Sequence, residues 1–312
     1  MQNGLLLVDK EPGMTSHDAV QKVRRVIRQK KVGHTGTLDP DATGLLVLTL
    51  GKATRLTRFF IQAPKVYEGT VRFGTSTDTY DASGDVTAER PIDGLTEDAV
   101  RAAMAELEGT YEQTPPPYCA KKINGVKYYE LARRGEEVPL EPKEVTVYGF
   151  ELQPAKPANA GEAGGLADGQ ITFRLSCSSG TYARTIAHEL GEKLGTGGHL
   201  SSLRRLQVGR FAVTDAVTVG ELQRRLDSGE PVEPAWIPFD AVPLPFAEVV
   251  ADAQQERRLL HGQSVLLRDL AGEEGDWVKL LNRRNEFIAV GSVVERIGGG
   301  GVGLVQPKIV FT

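Results

Sequence analysis

The chain has 312 residues, of which 40% are hydrophobic and 25% charged, and its formal net charge is −4. This length predicts two domains, and the composition is that of an ordinary globular protein. No apolar run approaches the ~20 residues that cross a membrane, and the N-terminus does not resemble a signal peptide. Two cysteines imply neither a disulfide framework nor a zinc cluster, so we expect a cytoplasmic protein.

The first hundred residues predict strands and helices in alternation. "GLLLVDK" predicts a short buried strand, and Thr15 and Asp18 form the T-x-x-D pattern that starts a helix. Apolar residues recur at helical spacing from Val20 to Ile27, so this helix would expose its arginines on the other side. After a polar loop come a fully buried strand, "LLVLTL", an edge or half-buried strand, "KVYEGTVRFG", and a helix capped at Thr96 and stopped at Gly109, "TEDAVRAAMAELEG".

From Thr114 the pattern changes, because about residues 114–140 begin in polyproline and mix aromatic residues with cations, as an excursion from the core would. Two strands joined by the Ala/Gly-rich loop 154–169 follow, "VTVYGFELQ" and "QITFRLSCSSG", and then the helix "TYARTIAHELGEKLG". A stretch with five prolines in 19 residues, "SGEPVEPAWIPFDAVPLPF", marks a linker and a domain boundary near residue 243. The last 70 residues predict a short helix and three strands, hence a small β-rich module.

Three clusters of basic residues interrupt this net acidic chain. Their members are Lys22, Arg24, Arg25, Arg28, Lys30 and Lys31, then Lys121, Lys122, Lys127, Arg133 and Arg134, then Arg204, Arg205 and Arg210. A net negative charge argues mildly against indiscriminate nucleic-acid binding, and any single cluster is as often a solvated face as a binding site. Three clusters together favour a phosphate-rich partner.

The loop "KVGHTGTLDPDATG" places Asp39 and Asp41 around a proline, directly before the buried strand. An Asp–Pro pair is typical of a turn, so the simplest interpretation is that Asp39 caps one. However, three glycines allow something to approach the backbone closely, His34 adds a flat ring, and the cationic helix leads into the loop. A carboxylate next to a nucleic-acid site repels phosphate, so its presence favours chemistry on a base.

This loop closely resembles the signature of bacterial tRNA pseudouridine-55 synthases, the TruB family, which reads G-H-x-G-x-L-D-P-x-A-x-G. The family's other motifs are matched in order by "VDKEPGMTSHDAV", by the tyrosine motif "KVYEGTVRFGTSTDTYDASGDV", by the RNA-gripping insertion "TPPPYCAKKINGVKYYELARRG" and by the arginine motif "CSSGTYARTIAHELGEKLG". The last 70 residues resemble a PUA RNA-binding module. The chain departs from the family at Glu11, which precedes Pro12, at Cys119, where serine is common, and in the longer loop 154–169.

The resemblance implies a mixed α/β (α+β) pseudouridine-synthase fold, with a long antiparallel sheet and an active-site cleft across it. It implies a catalytic domain over residues 1–242, which contains the RNA-gripping insertion at about 114–140, and a PUA-like domain over 243–312. The implied activity is isomerisation of uridine-55 in the T-loop of tRNA, with tRNA folding as a possible second activity. The implied enzyme is a monomer that binds the tRNA T-arm and needs no redox cofactor, metal or ATP.

The matched motifs also imply roles for single residues. Asp39 would attack the uracil C6 or the ribose C1′, Tyr67 would stack on the target base and accept the C5 proton, and Arg184 would pair with the aspartate. Tyr182 and Leu203 would pack around the base, and His34 would fill the space that the flipped nucleotide leaves. The expected substrate-binding set also includes Lys10, Lys121, Lys122 and Arg205.

Two other functions are compatible with parts of the sequence. A non-catalytic RNA-binding or tRNA-folding protein would share every basic cluster, but it would have no use for an ionised Asp39 facing the base. "DPDATG" is also weakly similar to the Asp-x-Asp-Gly-Thr loop of haloacid-type phosphatases, which need magnesium. That loop follows an apolar strand, whereas "GHTGTL" precedes this one.

Overall fold

A computed structural model of the chain describes residues 2–117, 122–123, 126–127, 141–154, 166–298 and 301–311. The helices are α1 (Ser16–Val26), α2 (Thr57–Ile61), α3 (Glu97–Ala105), α4 (Ala183–Lys193), α5 (Val219–Ser228) and α6 (Ala253–Leu260). Short 3-10 helices cover Gly51–Leu56, Leu166–Asp168, Val213–Asp215 and Phe239–Ala241. None of the helices in these described segments is long and apolar enough to span a bilayer.

The strands fall into two main sheets. In chain order they are β1 (Gly4–Lys10), β2 (Val32–His34), β3 (Thr43–Leu50), β4 (Lys65–Phe73), β5 (Thr75–Thr77), β6 (Val86–Glu89), β7 (Gly109–Gln113), β8 (Lys122–Ile123), β9 (Val126–Lys127), β10 (Lys143–Gln153), β11 (Gln170–Cys177), β12 (Gly198–Val208), β13 (Phe211–Ala212), β14 (Trp236–Pro238), β15 (Ala247–Val250), β16 (Val265–Leu267), β17 (Trp277–Leu281), β18 (Phe287–Ile297) and β19 (Val302–Val310). The first sheet has the order β14-β1-β3-β12-β4-β11-β10-β7, with β2 beside β3 and β13 beside β12. Its pairs are antiparallel except for β3 with β12, which confirms the predicted mixed α/β fold with a long antiparallel sheet.

Two apolar cores pack against this first sheet. One joins β1 and β3 to α1 and α5, and the other joins β4, β10 and β11 to α3 and α4. β12 lies between β3 and β4, so it runs along the junction of the two cores. Burial of apolar surface therefore stabilises two halves of the sheet separately, and side chains from both halves meet over β12.

Most of the predicted elements are confirmed, and their boundaries follow local chemistry. α1 begins after Thr15, whose hydroxyl accepts from the Asp18 N–H at 3.0 Å while the Asp18 carboxylate accepts from the Thr15 N–H, a complete capping box. α3 begins after Thr96 as predicted, but it ends at Ala105, because the chain enters β7 at Gly109 to pair with β10. β4 is half-buried, yet it is a central strand between β12 and β11, so the edge position that the sequence allowed was wrong.

The proline-rich stretch 228–246 packs tightly onto the first sheet. Trp236–Pro238 forms β14, which pairs with β1, and Ala235, Phe239 and Val242 are buried. The second sheet then runs from Ala247 to Val310 in the order β15-β17-β18-β19-β16, with α6 packed beside it. The predicted short helix and three strands of the C-terminal module are confirmed, and β15 and β16 are additional.

The excursion predicted at 114–140 is described only in part. β8 and β9 pair antiparallel with each other, and the predicted loop and short helix around them lie outside the described residues. Most of the Ala/Gly-rich loop also lies outside them, although β10 and β11 on either side pair as the predicted hairpin.

Candidate active site

The Asp39 loop connects β2 to β3 and is fixed by the end of β1 and the start of α1. The Lys10 ammonium donates to the carbonyls of Pro40 at 2.9 Å, Met14 at 2.7 Å and Glu11 at 3.0 Å. The buried Ser16 hydroxyl donates to the Leu38 carbonyl at 3.1 Å and accepts from the Leu38 N–H at 2.8 Å. Because these contacts reach the backbone on both sides of Asp39, they hold the position of its carboxylate.

Arg205 on β12 supports the same loop from within the protein. It is 1% exposed and donates to the carbonyls of Leu45 at 2.7 Å and Gly36 at 3.1 Å, with a longer contact to Thr37 at 3.4 Å. Gly44 allows this close approach of β3 to β12, since its φ is +99° and an added Cβ would lie 2.3 Å from the Arg205 carbonyl oxygen. A buried guanidinium with several carbonyl partners therefore supports the loop.

Arg184 bridges two carboxylates across the junction of the two cores. Its Nε lies 3.1 Å from Asp39 Oδ2, and its Nη1 lies 3.1 Å from Asp81 Oδ2. The arginine side chain is 9% exposed, whereas that of Asp39 is 46% exposed. The second residue of α4 therefore orients a carboxylate that remains accessible to a substrate.

The charges around Asp39 oppose each other. Partial burial raises the pKa of the Asp39 carboxyl above 3.8, the Arg184 guanidinium and the Lys10 ammonium lower it, and the Asp81 carboxylate raises it. Burial also raises the pKa of Asp81, but hydrogen bonds from Ser83 and Thr79, together with Arg184, bring it below the usual value. Asp81 thus stays ionised and holds the guanidinium in place.

Tyr67 lies on β4 directly opposite Arg205 on β12. Burial raises the pKa of the Tyr67 phenol, while the charge of Arg205 and its hydrogen bond to the phenol lower it. Leu203, two residues before Arg205, is half-buried and packs on the apolar core of β4, β10 and β11. Adjacent strands thus bring the tyrosine, the leucine and the supporting arginine together.

His34 and Tyr182 lie at the ends of the elements that carry Asp39 and Arg184. His34 ends β2, and its pKa is lowered by burial and by the charge of Arg205, so the imidazole is neutral at neutral pH. Within the described parts of the chain, its buried Nδ1 has no hydrogen-bond partner. Tyr182 caps α4, and the side chain of Gln113 fixes its backbone, accepting from the Tyr182 N–H at 2.8 Å and donating to its carbonyl at 3.3 Å.

A cavity of about 580 Å³ opens beside these residues. Residues 39–42, Arg184 and Leu203 line it, together with residues 78, 79 and 81–85 of the turn after β5 and residues 200–202 of β12. Tyr67, His34 and Tyr182 lie outside this lining. The predicted Asp39 and Arg184 thus meet at a pocket large enough for a nucleoside-sized group.

Three family models match successive segments of the chain, and the first two contain Asp39 and Arg184. "TruB family pseudouridylate synthase (N terminal domain)" matches residues 24–183, "tRNA pseudouridylate synthase B C-terminal domain" matches 184–240, and "Pseudouridine synthase II TruB, C-terminal" matches 247–298. The chain belongs to the TruB family of pseudouridine synthases. Members of this family isomerise uridine, so the protein is an isomerase.

Relatives and solved structures agree with this family. The tRNA pseudouridine synthase B of Bacillus cytotoxicus is 39% identical over 92% of this chain and 91% of its own length, and that of Solibacter usitatus is 39% identical over 94% and 96%. In fold, the chain is similar to a chain in an H/ACA RNP bound to a substrate RNA containing 2′-deoxyuridine and to one in a Cbf5–Nop10–Gar1 complex. Both similarities have a TM-score of 0.72 and cover all of this chain, with 23% identity over 86% of the first chain and 24% over 85% of the second.

Lys10 and Arg205 were expected to contact the substrate, but the structure places both beneath the Asp39 loop. Each is 1% exposed, and both donate hydrogen bonds to backbone carbonyls of the Asp39 loop and its flanks. They support the loop from beneath and do not line the cavity. Of the other expected contacts, Lys121 lies outside the described residues, and for Lys122 only the backbone of β8 is described.

Asp81 and Ser16 are site residues that sequence reasoning did not single out. Both lie in stretches that match family motifs, "TSTDTYDASGDV" and "GMTSHDAV". Those motif matches are the sequence feature that could have identified them as site residues. Neither residue has an unusual local pattern, and their partners lie 103 and 22 residues away along the chain.

Proposed function

We propose that this protein converts uridine-55 in the T-loop of tRNA to pseudouridine, with Asp39 as the nucleophile. The observation that carries the proposal is the accessible Asp39 carboxylate, ion-paired with the buried Arg184 at 3.1 Å beside the cavity. A nucleophilic carboxylate must be ionised and aimed, and an adjacent guanidinium favours both. The names of the TruB-family relatives support tRNA as the substrate.

The reaction is an isomerisation in which every heavy atom of the uridine is retained, with one proton lost from C5 and one gained at N1. Asp39 attacks either C6 of the uracil or C1′ of the ribose, and the N1–C1′ bond breaks. The detached uracil turns in the site, and C5 bonds to C1′. The C5 proton leaves, N1 gains a proton, and the bond to Asp39 breaks, so no redox partner or ATP is consumed.

Tyr67 is our candidate for the group that accepts the C5 proton. Burial raises the pKa of its phenol, so the hydroxyl is protonated at neutral pH and can accept a proton only as it loses its own. Arg205 lowers the pKa of the phenol and so favours that loss. The aromatic ring would also stack on the base while it turns.

The target uridine must leave its stack to reach Asp39, which costs a few kcal/mol. Contacts of the base with Tyr67, Tyr182 and Leu203 would offset this cost. The neutral ring of His34 would fill the space that the nucleotide leaves. Its buried Nδ1 has no hydrogen-bond partner among the described residues, so an RNA group could supply one.

Affinity for tRNA would come from local basic clusters, since the whole chain has a net charge of −4. The Lys22–Lys31 run on and after α1 leads into the Asp39 loop, and the insertion with Lys121 and Lys122 interrupts the chain between β7 and β10. We place a catalytic domain at 1–242 and a PUA-like RNA-binding domain at 243–312. A single copy of the chain carries all the proposed catalytic groups, which fits a cytoplasmic monomer.

Incubation with an unmodified tRNA transcript tests the proposal. The wild-type protein should form pseudouridine at position 55 with EDTA present, read out by carbodiimide modification and primer extension. Asp39→Asn should abolish turnover while tRNA binding stays within about tenfold, or about 1.4 kcal/mol. Asp41→Asn, which changes the neighbouring carboxylate, should retain turnover. Pseudouridine formation by an uncontaminated Asp39→Asn protein would contradict the assignment of the nucleophile.

A further inference from the structure

One stripe of α4 makes three successive contacts with the segment that follows β5. Arg184, His188 and Glu192 are spaced four residues apart and so lie on one side of the helix. Arg184 binds Asp81, His188 stacks on Tyr80, and Glu192 forms an ion pair with Arg90 at 2.9 Å. The contact nearest to the Asp81–Arg184 pair is therefore the aromatic one.

The Tyr80–His188 contact is a face-to-face stack of two rings. The ring centroids are 3.9 Å apart and the planes differ by 6°. Burial lowers the pKa of His188, so the stacked imidazole is neutral at neutral pH, with Glu192 raising the pKa and Arg90 lowering it. His188 Nδ1 is buried and has no hydrogen-bond partner among the residues that the structure describes, so ring packing accounts for the contact with the turn.

Tyr80 adopts an unfavourable backbone conformation to make this stack. Its φ is +64°, in the left-handed region that non-glycine residues rarely adopt. Hydrogen bonds hold the turn on both sides, from the Leu200 N–H to the Tyr80 carbonyl at 2.9 Å and from the Ala82 N–H to the Leu200 carbonyl at 3.0 Å. The twisted turn directs the Tyr80 ring onto α4 while the next residue, Asp81, reaches Arg184.

Neither Tyr80 nor His188 lines the cavity, and their rings pack on each other. Both are nevertheless adjacent to the ion-pair network, since Tyr80 precedes Asp81 and His188 lies one helical turn after Arg184. We propose that the Tyr80–His188 stack is a positioning device, which holds the turn at 77–85 against α4 so that Asp81 keeps Arg184 aimed at Asp39. This inference rests on the proposed function, in which Arg184 keeps Asp39 ionised and oriented.

Substitutions at Tyr80 test the stack by single-turnover kinetics at saturating tRNA across pH. Tyr80→Ala should slow the chemical step by about tenfold or more, while tRNA binding, measured separately by filter titration, should change little. It should also move the acid limb of the rate profile to higher pH, because a poorly aimed guanidinium no longer lowers the pKa of Asp39. Tyr80→Phe keeps the ring and should restore both the rate and the limb. Tyr148→Ala, which removes a 60% exposed tyrosine on β10, is the matched control and should resemble the wild type.

A double-mutant cycle shows whether the stack acts through Asp81. In an Asp81→Asn background, Tyr80→Ala should cause little further loss, since the carboxylate that the stack positions is already gone. His188→Ala removes the partner ring on α4 and should give the same pH–rate profile as Tyr80→Ala. Thermal unfolding checks that each variant is folded. Fold-losses that multiply in the double mutant, or an acid limb that does not move, would overturn the proposal. An inactive wild-type protein would instead contradict the proposed function.

Discussion

Asp39 is the residue at which burial and charge oppose each other most directly. Its pKa in the folded protein lies above 3.8, so ionisation at neutral pH costs folding free energy. An ordinary salt-bridged aspartate, whose pKa is depressed, contributes stability above its unfolded pKa, and Asp39 has the opposite sign. Because the side chain is 46% exposed, solvent screens much of this cost. Lys10 and Arg184 offset it further and keep the carboxylate available for chemistry.

Removal of the Arg184 charge should move the acid limb of the activity profile. With the guanidinium gone, burial and the Asp81 carboxylate both raise the pKa of Asp39, so Arg184→Met should lose activity at a higher pH than the wild type. Arg184→Lys should shift the limb less, since the charge remains but the two-pronged geometry is lost. The measurement is the single-turnover rate at saturating tRNA from acidic to neutral pH. Arg204→Met, which breaks a comparable arginine pair with Asp9, is the control, and a limb that stays in place in Arg184→Met would refute the electrostatic role.

The sequence pointed to Asp39 and Arg184 because their motifs are long and specific. It did not indicate that Asp81 holds Arg184, since that contact joins residues 103 apart in the chain. Nor did it indicate the burial of Lys10 and Arg205, because a basic residue in a polar motif has the same local pattern whether it contacts RNA or a carbonyl. Such roles depend on tertiary packing and cannot be read from local spacing.

Among the elements, β12 shows most clearly why periodicity failed. The strand contains "LSSLRRLQV", in which polar and apolar residues do not alternate, and no strand was predicted there. Its pairing with β4 shifts register between Leu200 and Ser202 and again between Arg205 and Gln207. Each irregularity breaks the period of two on which strand prediction depends. On this strand Arg204 pairs with Asp9, and Arg205 is buried. These two members of the third basic cluster therefore do not form a continuous phosphate-binding face.

Thr15 and Ser16 are adjacent at the start of α1 but have different roles, since Thr15 stabilises the helix and Ser16 positions the Asp39 loop. Thr15 caps the helix, and its loss should cost about 1 kcal/mol. Ser16→Ala leaves the Leu38 N–H and carbonyl without their partner, which should cost about 1–3 kcal/mol. Only Ser16→Ala should also lower the single-turnover rate, because Leu38 directly precedes Asp39. Urea unfolding and single-turnover kinetics on both variants check this, and an equal loss of rate in Thr15→Ala would show that the effect comes from the helix.

At the scale of the whole molecule, residues of the second sheet extend the apolar core of β1 and β3, although that sheet also has a core of its own with α6. Phe239, which follows β14, stacks on Phe287 at 5.0 Å and contacts Phe311 edge-on at 4.8 Å. Arg58 packs over the Trp277 ring at 4.9 Å, and Arg55 donates to the Val310 carbonyl. The predicted boundary near 243 divides the chain at the second sheet, but apolar and cationic contacts bridge it. Composition predicts a boundary near 243, whereas the contacts that bridge this point depend on residues far apart in sequence.

This shared core predicts that the two sheets unfold together. Phe311→Ala should lower the free energy of unfolding by about 3–5 kcal/mol, because the ring is 6% exposed and packs against residues from both sides of the boundary. The two tryptophans report on the sheets separately, since Trp236 lies in β14 and Trp277 in β17. Urea transitions followed by fluorescence in Trp236→Phe and Trp277→Phe proteins should each be shifted to lower urea by Phe311→Ala. Val294→Ala, at a 48% exposed position on β18, should change stability by less than about 0.5 kcal/mol. If Phe311→Ala shifted only the Trp277 signal, the sheets would be independent units and the shared core would not couple them.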